Sequence, residues 1–316
     1  MKKSSLAWVV LAFLTPFATW ASERPITIDE FLEPGGRVRV IAHRGFSGAA
    51  PENTLAAIRA AIEIGADMAE IDVTLSADGR VVVIHDDTVD RTTDGRGAVS
   101  DHTLAELQRL DAGAWYAPQF AGERLPTLDE VLAEVEGRIL LNVEIKAEAV
   151  ERGIVRTVAA IVRDRGMNDT VIVSSFSPAA LEQMRDIAPE IRTGVLFNPE
   201  FHQGLDAADI VAGLGASAFN IKRARLTRAM SRQCRDAGIP VAVYTVNSPR
   251  RLRRLIKRGV HAVFTDHPDR MVAVRDEAQR GDHRESPRVM AIPQVSSGME
   301  TETGTVRLPS EAGVGH

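Results

Sequence analysis

The stretch VIVSSFSPAALEQMRDIAPEIRTGVL, residues 171–196, holds one full period of the pattern that governs this chain. Residues 171–174 form a short apolar run, 178–187 carry apolar residues at helical spacing, and 193–196 form a second short run. Ser177-Pro178 marks the helix start, because proline suits the first helical position, where its missing N–H has no partner to lose. Strand, helix and strand in strict succession imply two parallel strands joined by a crossover.

The same unit recurs on both sides. Candidate strands occupy 38–42, 68–75 and 139–145 before this stretch, and 218–221, 240–244 and 262–264 after it, which makes eight. Helical periodicity fills most intervals, over 54–64, 128–135, 150–165, 227–237 and 249–258. Asn53 stands where a helix cap is wanted, and Gly65, Gly166, Gly238 and Gly259 stand where helix ends favour a left-handed residue. Eight strands in about 240 residues predict a closed (β/α)8 TIM barrel of the α/β class. No G-x-G-x-x-G follows the first strand, which weighs against an open dinucleotide-binding sheet. One interval breaks the rhythm. Residues 81–85 read as an extra strand, hairpinned to 68–75 through Ala77-Asp78-Gly79, and 86–126 then lack clear periodicity. An irregular segment that long is expected to be a functional excursion over the site.

The chain has 316 residues, with 38 Lys and Arg against 43 Asp and Glu, and 44% hydrophobic residues. That balance excludes collagen-like, wholly disordered and polytopic membrane proteins. A pI of about 5.9 gives no support to a nucleic-acid partner. The single cysteine, Cys234, excludes an internal disulfide and is read as inert. Lys2 and Lys3, the apolar run 6–17 and Thr19-Trp20-Ala21 read as an export signal cleaved after Ala21. The run is shorter than the roughly 20 residues that span a bilayer. The expected organisation is a signal peptide over 1–21, a lead-in over 22–37, the barrel over 38–280 and a disordered tail over 281–316. The protein is expected to be exported, periplasmic or secreted.

In such a barrel the chemistry sits at the C-terminal ends of the strands. The polar residues fall there. His43-Arg44-Gly45 ends the first strand, and Glu70 and Asp72 lie two apart, hence on one face, of the second. His85-Asp86 ends the extra strand, and Glu144 and Lys146 are again two apart. Asn220 with Lys222, Thr245 with Asn247, and Thr265 with Asp266 end the last three. One interior acid would need only an Arg or Lys partner, but Glu70, Asp72 and Glu144 facing one space cannot all stay ionised without a cation. An oxygen-only donor set suits a hard ion, Mg2+ or Ca2+, rather than Zn2+. Arg44 and Lys146 suit phosphate oxygens, and His43 and His85 can exchange protons at neutral pH. A divalent cation flanked by Arg and Lys matches the charge that develops on a phosphodiester. Asp266 either lines the site or helps cap the next helix. Trp115, Tyr116 and Phe120 are either a lid over a substrate tail or packing for the irregular segment.

The segments Ala42-His43-Arg44-Gly45, Pro51-Glu52-Asn53-Thr54, Glu70-Ile71-Asp72-Val73, Val83-Ile84-His85-Asp86, Asn142-Val143-Glu144-Ile145-Lys146 and Thr265-Asp266-His267-Pro268 resemble, in order, those of the glycerophosphodiester phosphodiesterase family. The family usually has Trp at Tyr244 and Thr at Ser76. The resemblance implies a (β/α)8 barrel that hydrolyses glycerophosphodiesters to sn-glycerol 3-phosphate and an alcohol. It also implies one divalent cation on Glu70, Asp72 and Glu144, and acid–base roles for His43 and His85. The alternatives are a phospholipase-type phosphodiesterase acting on lysophospholipid or intact lipid head groups, a two-carboxylate glycosidase, and a non-catalytic exported binding barrel. The expected partner is a small-molecule glycerophosphodiester, with membrane contact only for the lipid-cleaving alternative and no nucleic acid.

Overall fold

The computed structural model describes residues 26–282, in which eight parallel strands close into a ring. They are β1 (Arg39–Ala42), β2 (Met68–Leu75), β4 (Leu140–Ile145), β5 (Val171–Ser175), β6 (Thr193–Leu196), β7 (Ala218–Lys222), β8 (Val241–Tyr244) and β9 (Ala262–Thr265), with β3 (Val81–Val83) antiparallel on the outside of β2. Closure is explicit in the pairing. β1 bonds to β2 on one side, with Ile41 opposite Met68, and to β9 on the other, with Arg39 opposite Ala262. Every barrel strand lies within one residue of its expected bounds, while the extra strand stops at Val83.

The helices are α1 (Ile28–Leu32), α2 (Leu55–Glu63), α3 (Leu104–Leu107), α4 (Leu128–Val135), α5 (Ile154–Asp164), α6 (Pro178–Ile187), α7 (Ala207–Leu214), α8 (Arg228–Asp236), α9 (Pro249–Ile256) and α10 (Pro268–Asp282). Four of these, α1, α3, α7 and α10, go beyond the helices read from periodicity. α5 begins four residues later than expected, because Gly153, at φ 85°, separates it from a 3-10 turn over Ala147–Ala149. α10 runs two residues past Arg280, where the tail was expected to start. The remainder of that tail and the signal over 1–21 lie outside the described residues. No helix among the described residues is long and apolar enough to cross a membrane.

Two-residue alternation explains what fills the ring. At the N-terminal end, Ile41, Met68, Leu140, Ile172, Ala218 and Ala262 point inward and pack on Ile28 and Phe31 of α1, which plugs the floor. Each buried Ile, Leu, Met or Phe among these contributes about 1.5–3 kcal/mol. One step further along the same inward faces come Glu70, Asn142, Ser174 and Asn220, and a step beyond those, Asp72 and Glu144. The interior therefore changes from apolar floor to polar middle to charged mouth. The opposite faces carry Ile71, Val73, Val143, Ile145, Phe219 and Val243, which pack outward against the helices.

Residues 86–126 are organised by a small core of their own, including Val82, Ile84, Val89, Val99, Leu107 and Leu125. The Asp111 carboxylate accepts from the N–H groups of Gly113, Ala114 and Gly122 at 2.8 Å each. At the floor, the buried Asp67 carboxylate accepts from the Val40 N–H (2.8 Å), Arg37 (2.8 Å) and Arg275 of α10 (2.7 Å).

Candidate active site

Glu70 and Asp72 project from β2, and Glu144 projects from β4 directly opposite Asp72 in the ladder. One carboxylate oxygen from each lies within 4.8 Å of the others. Glu70 accepts from the Arg44 N–H at 2.8 Å through Oε2, while its Oε1 is buried with no hydrogen-bond partner. Asp72 accepts from Lys146 Nζ at 2.7 Å and from Asn53 Nδ2 at 2.9 Å, and Glu144 accepts from the same Lys146 Nζ at 2.8 Å.

The charges in this cluster are unequal. Burial and the Asp72 carboxylate push the Glu70 carboxyl up to about 8, and the same two causes raise Glu144. Burial also works against the Asp72 anion, yet the cations of Lys146 and Arg44 overcome it and hold Asp72 down at about 2. Lys146 loses stability through burial and regains more from Asp72 and Glu144, so its ammonium is held above the ordinary range. A buried, unpartnered carboxylate oxygen converging with two further carboxylates is a donor set that a hard divalent cation satisfies. Glu70, Asp72 and Glu144 fit such an ion.

Two histidines face the same space. His43 Nδ1 lies 2.7 Å from Asp266 Oδ1 and His85 Nδ1 lies 2.6 Å from Asp86 Oδ1. A carboxylate only accepts, so each Nδ1 carries the hydrogen and each Nε2 is left for chemistry in the cavity. The carboxylates differ in company. Asp266 is held by the neutral donors Asn247 (2.5 Å) and Ser47 (3.3 Å), whereas Asp86 accepts from the Arg91 guanidinium at 2.7 Å. Burial disfavours the His43 imidazolium, but Asp266 and Glu70 outweigh it and raise its pKa. Burial likewise opposes the Asp266 anion, and its hydrogen bond to His43 is the main cause that brings it down to about 2. Arg91 holds Asp86 far below the usual carboxylate range. Arg91 also grips Glu52 at 2.8 Å, and Glu52 accepts from Arg44 at 2.7 Å, so a continuous ionic chain runs from Arg44 to His85.

Tight local backbone sets these positions. Among the described residues, Arg44 and Asn53 are the non-glycine residues with positive φ, at 55° and 60°. Between them Gly45, at φ 73°, lies so close to α2 that a Cβ would stand 2.6 Å from the Ala57 carbonyl carbon. Non-glycine residues in this region cost of order 1–3 kcal/mol each and persist where surrounding bonds over-determine them.

All seven residues singled out from the sequence line one cavity of about 940 Å3 at the C-terminal end of the barrel. Other expectations are corrected. Asn53 caps nothing: Thr54 accepts from the Ala57 N–H, while Asn53 holds Asp72 through both its amide groups. Asp266, expected either to line the site or to help cap a helix, stands behind His43 and is not itself among the residues that line the cavity. Trp115, Tyr116 and Phe120 pack edge-to-face on one another and none lines the cavity. Its apolar wall is Phe176, Phe197, Phe201, Tyr244 and Phe264. The sequence reading missed Glu52 and Arg91. Glu52 precedes Asn53, the expected helix cap, and Arg91 sits where no periodicity places it. Phe197 directly follows a barrel strand, a position that could have marked it. Cys234 is buried, with its thiol pushed up to about 11 by burial.

Residues 43–270 match the model of the glycerophosphoryl diester phosphodiesterase family. The chain is 42% identical over 232 residues to YhdW of Bacillus subtilis, covering 73% of this chain and 95% of that one. It is 38% identical over 239 residues to a glycerophosphodiester phosphodiesterase of Caldanaerobacter subterraneus, covering 74% and 96%. Among solved structures it resembles an Oleispira antarctica phosphodiesterase in complex with the product sn-glycerol-3-phosphate. The TM-score is 0.72 at 32% identity, over 76% of this chain and 97% of that one.

Proposed function

Because this chain belongs to the glycerophosphoryl diester phosphodiesterase family, and is thereby a phosphoric diester hydrolase, we propose that it hydrolyses glycerophosphodiesters to sn-glycerol 3-phosphate and an alcohol with the help of one divalent cation. The observation that carries this reading is the convergence of three carboxylates with two carboxylate-backed histidines, Arg44 and Lys146 on one cavity. Glu70, Asp72 and Glu144 would hold the cation, Mg2+ or Ca2+, which when bound supplies positive charge to the phosphate oxygens.

The chain's own residues account for the rest. Arg44, whose buried Nε has no hydrogen-bond partner, and Lys146 add fixed positive charge at the cavity floor, where the transition state gains negative charge. His43 keeps its proton, because Asp266 behind it is an unneutralised carboxylate, and delivers it from Nε2 to the departing alkoxide. His85 accepts the proton of the attacking hydroxyl at Nε2 while Asp86 and Arg91 hold its ring. One P–O bond forms and one breaks, and the proton lost to His85 balances the one given by His43.

Family membership sets aside the non-catalytic barrel. A glycosidase needs one carboxyl free to protonate a leaving group and has no use for Lys146 bridging two acids. The lipid-cleaving reading draws support from the apolar wall of the cavity, which is roomier than a glycerol phosphate requires. The test is release of glycerol 3-phosphate from glycerophosphocholine by purified protein, after EDTA and after Mg2+ or Ca2+ is restored. Cation-dependent release is expected. Release from lysophospholipid alone would move the assignment to the lipid-cleaving reading, and no release from either would sink both. We also infer export from residues 1–21, tested by whether the mature protein begins at Ser22.

A further inference from the structure

Residues 222–258 contain 12 of the 38 Lys and Arg but one of the 43 Asp and Glu, so the rest of the chain holds 26 basic against 42 acidic residues. All twelve basic side chains are exposed. Among the described residues only Arg235 and Arg253 reach a carboxylate, Asp236 at 3.5 Å and Glu277 at 2.6 Å. Like charges four apart on a helix, as at Arg228 and Arg232 or Arg250 and Arg254, repel one another. Both α8 and the neighbouring α9 carry that repulsion. Near the end of α9, Arg258 meets Arg228, Arg232 and Arg235 of α8 around a depression of about 170 Å3 that Ser231 also lines.

This face continues to the cavity. Lys222, the last residue of β7, and Arg225 just after it line the mouth together with Phe201. Phe201 and Leu205 are the most exposed large apolar side chains among the described residues, at 56% and 52%. Their loop is tied to α8 by Gln233, which donates to Asp206 at 2.9 Å.

We propose that this face seats the molecule on an anionic phospholipid bilayer, with the cations of α8 and α9 over the phosphate layer and Phe201 and Leu205 entering its edge. A lipid interface takes cations and apolar side chains at once. A nucleic acid satisfies the cations and offers Leu205 nothing. The acidic remainder of the surface is repelled by the same membrane, which fixes the orientation: the side of the barrel lies on the lipid, and the rim of the mouth at Lys222, Arg225 and Phe201 stands beside it. Preferring lipid over another polyanion rests in part on the lipid-derived substrate proposed above, so the test reads binding without turnover.

The full chain is mixed with vesicles of phosphatidylcholine alone, or with about 30% phosphatidylglycerol, at low and high NaCl. Sedimentation with the anionic vesicles at low salt is expected, with none on phosphatidylcholine and release at high salt. Each basic residue near the surface is worth about fivefold in binding. The combined variant Arg228→Glu, Arg232→Glu, Arg254→Glu, Lys257→Glu should therefore bind on the order of a hundredfold more weakly or worse, with an unchanged thermal melt. Phe201→Ser with Leu205→Ser should weaken vesicle binding and leave binding to duplex DNA as it was. Absence of binding to anionic vesicles, or full binding by the four-Glu variant, overturns the proposal. Equal binding of duplex DNA with no effect of Phe201 and Leu205 would assign the face to nucleic acid instead. Vesicle binding by a protein that turns over no diester would sink the reaction and leave the surface standing.

Discussion

Asp266 stands behind His43 with neutral neighbours, while Asp86 stands behind His85 with Arg91 already on it. Replacing either histidine by Ala should lower turnover by roughly 10²-fold or more, the usual worth of a general acid or base. Asp266→Asn is more informative. It removes the charge that raises the His43 pKa, so that pKa falls. If His43 works as the acid, activity is lost as pH rises through its pKa, and the alkaline limb of the pH–rate profile moves to lower pH. Movement of the acidic limb would exchange the two roles. Asn53→Ala leaves the three carboxylates in place and removes the amide that holds Asp72, so cation affinity, measured by titration, should fall about tenfold or more. The seven line-of-site residues were legible because the two-residue alternation and the strand-end rule convert sequence position into place. Asn53, Glu52 and Arg91 were not, because their partners, Asp72, Arg44 and Asp86, are fixed by loop geometry rather than by period.

The strands were the readable elements, since each is a short, mostly apolar run with few charged residues. α1 and α3 escaped because five and four residues give periodicity too little length to register, and α7 because Asp209 is its one charged residue, so its faces hardly contrast. A different signal was available for α1, a capping box in which Thr27 and Glu30 satisfy each other's backbone N–H groups, and the same box starts α3 and α4. Residues 86–126 resisted because their order comes from turns around carboxylates such as Asp111. At the opposite end of the ring, Asp67 joins β1, β2 and α10 through one buried carboxylate. Asp67→Ala strands the buried Arg275 without its partner, which should cost about 3 kcal/mol. Thermal denaturation should show that as a midpoint lower by about 6 °C or more. A shift within error would mean that Asp276, already on Arg275 at 2.8 Å, suffices alone.

Taken whole, the molecule is a charge dipole: a formal −5 overall, with a strongly basic strip over 222–258. At pH 7 it should be retained by a sulfonate cation exchanger despite that net charge, and the four-Glu variant should pass through. Elution of both in the void would show that the strip is too dispersed to act as one surface. Composition alone concealed the asymmetry, because the sum over the chain cancels it. The closed ring carries a second whole-molecule consequence. β1 finishes its pairing on β9, and the outer strand β3 is met by Thr127 at Val82, so a folded barrel offers passing chains little unpaired backbone. A nascent or truncated chain ending before Ala262 has no such protection. Its first strand lacks the partner that completes it, and two raw sheet edges stay open until the last part of the barrel is made. Self-association should therefore appear in C-terminal truncations and during slow refolding, while the finished protein stays dispersed.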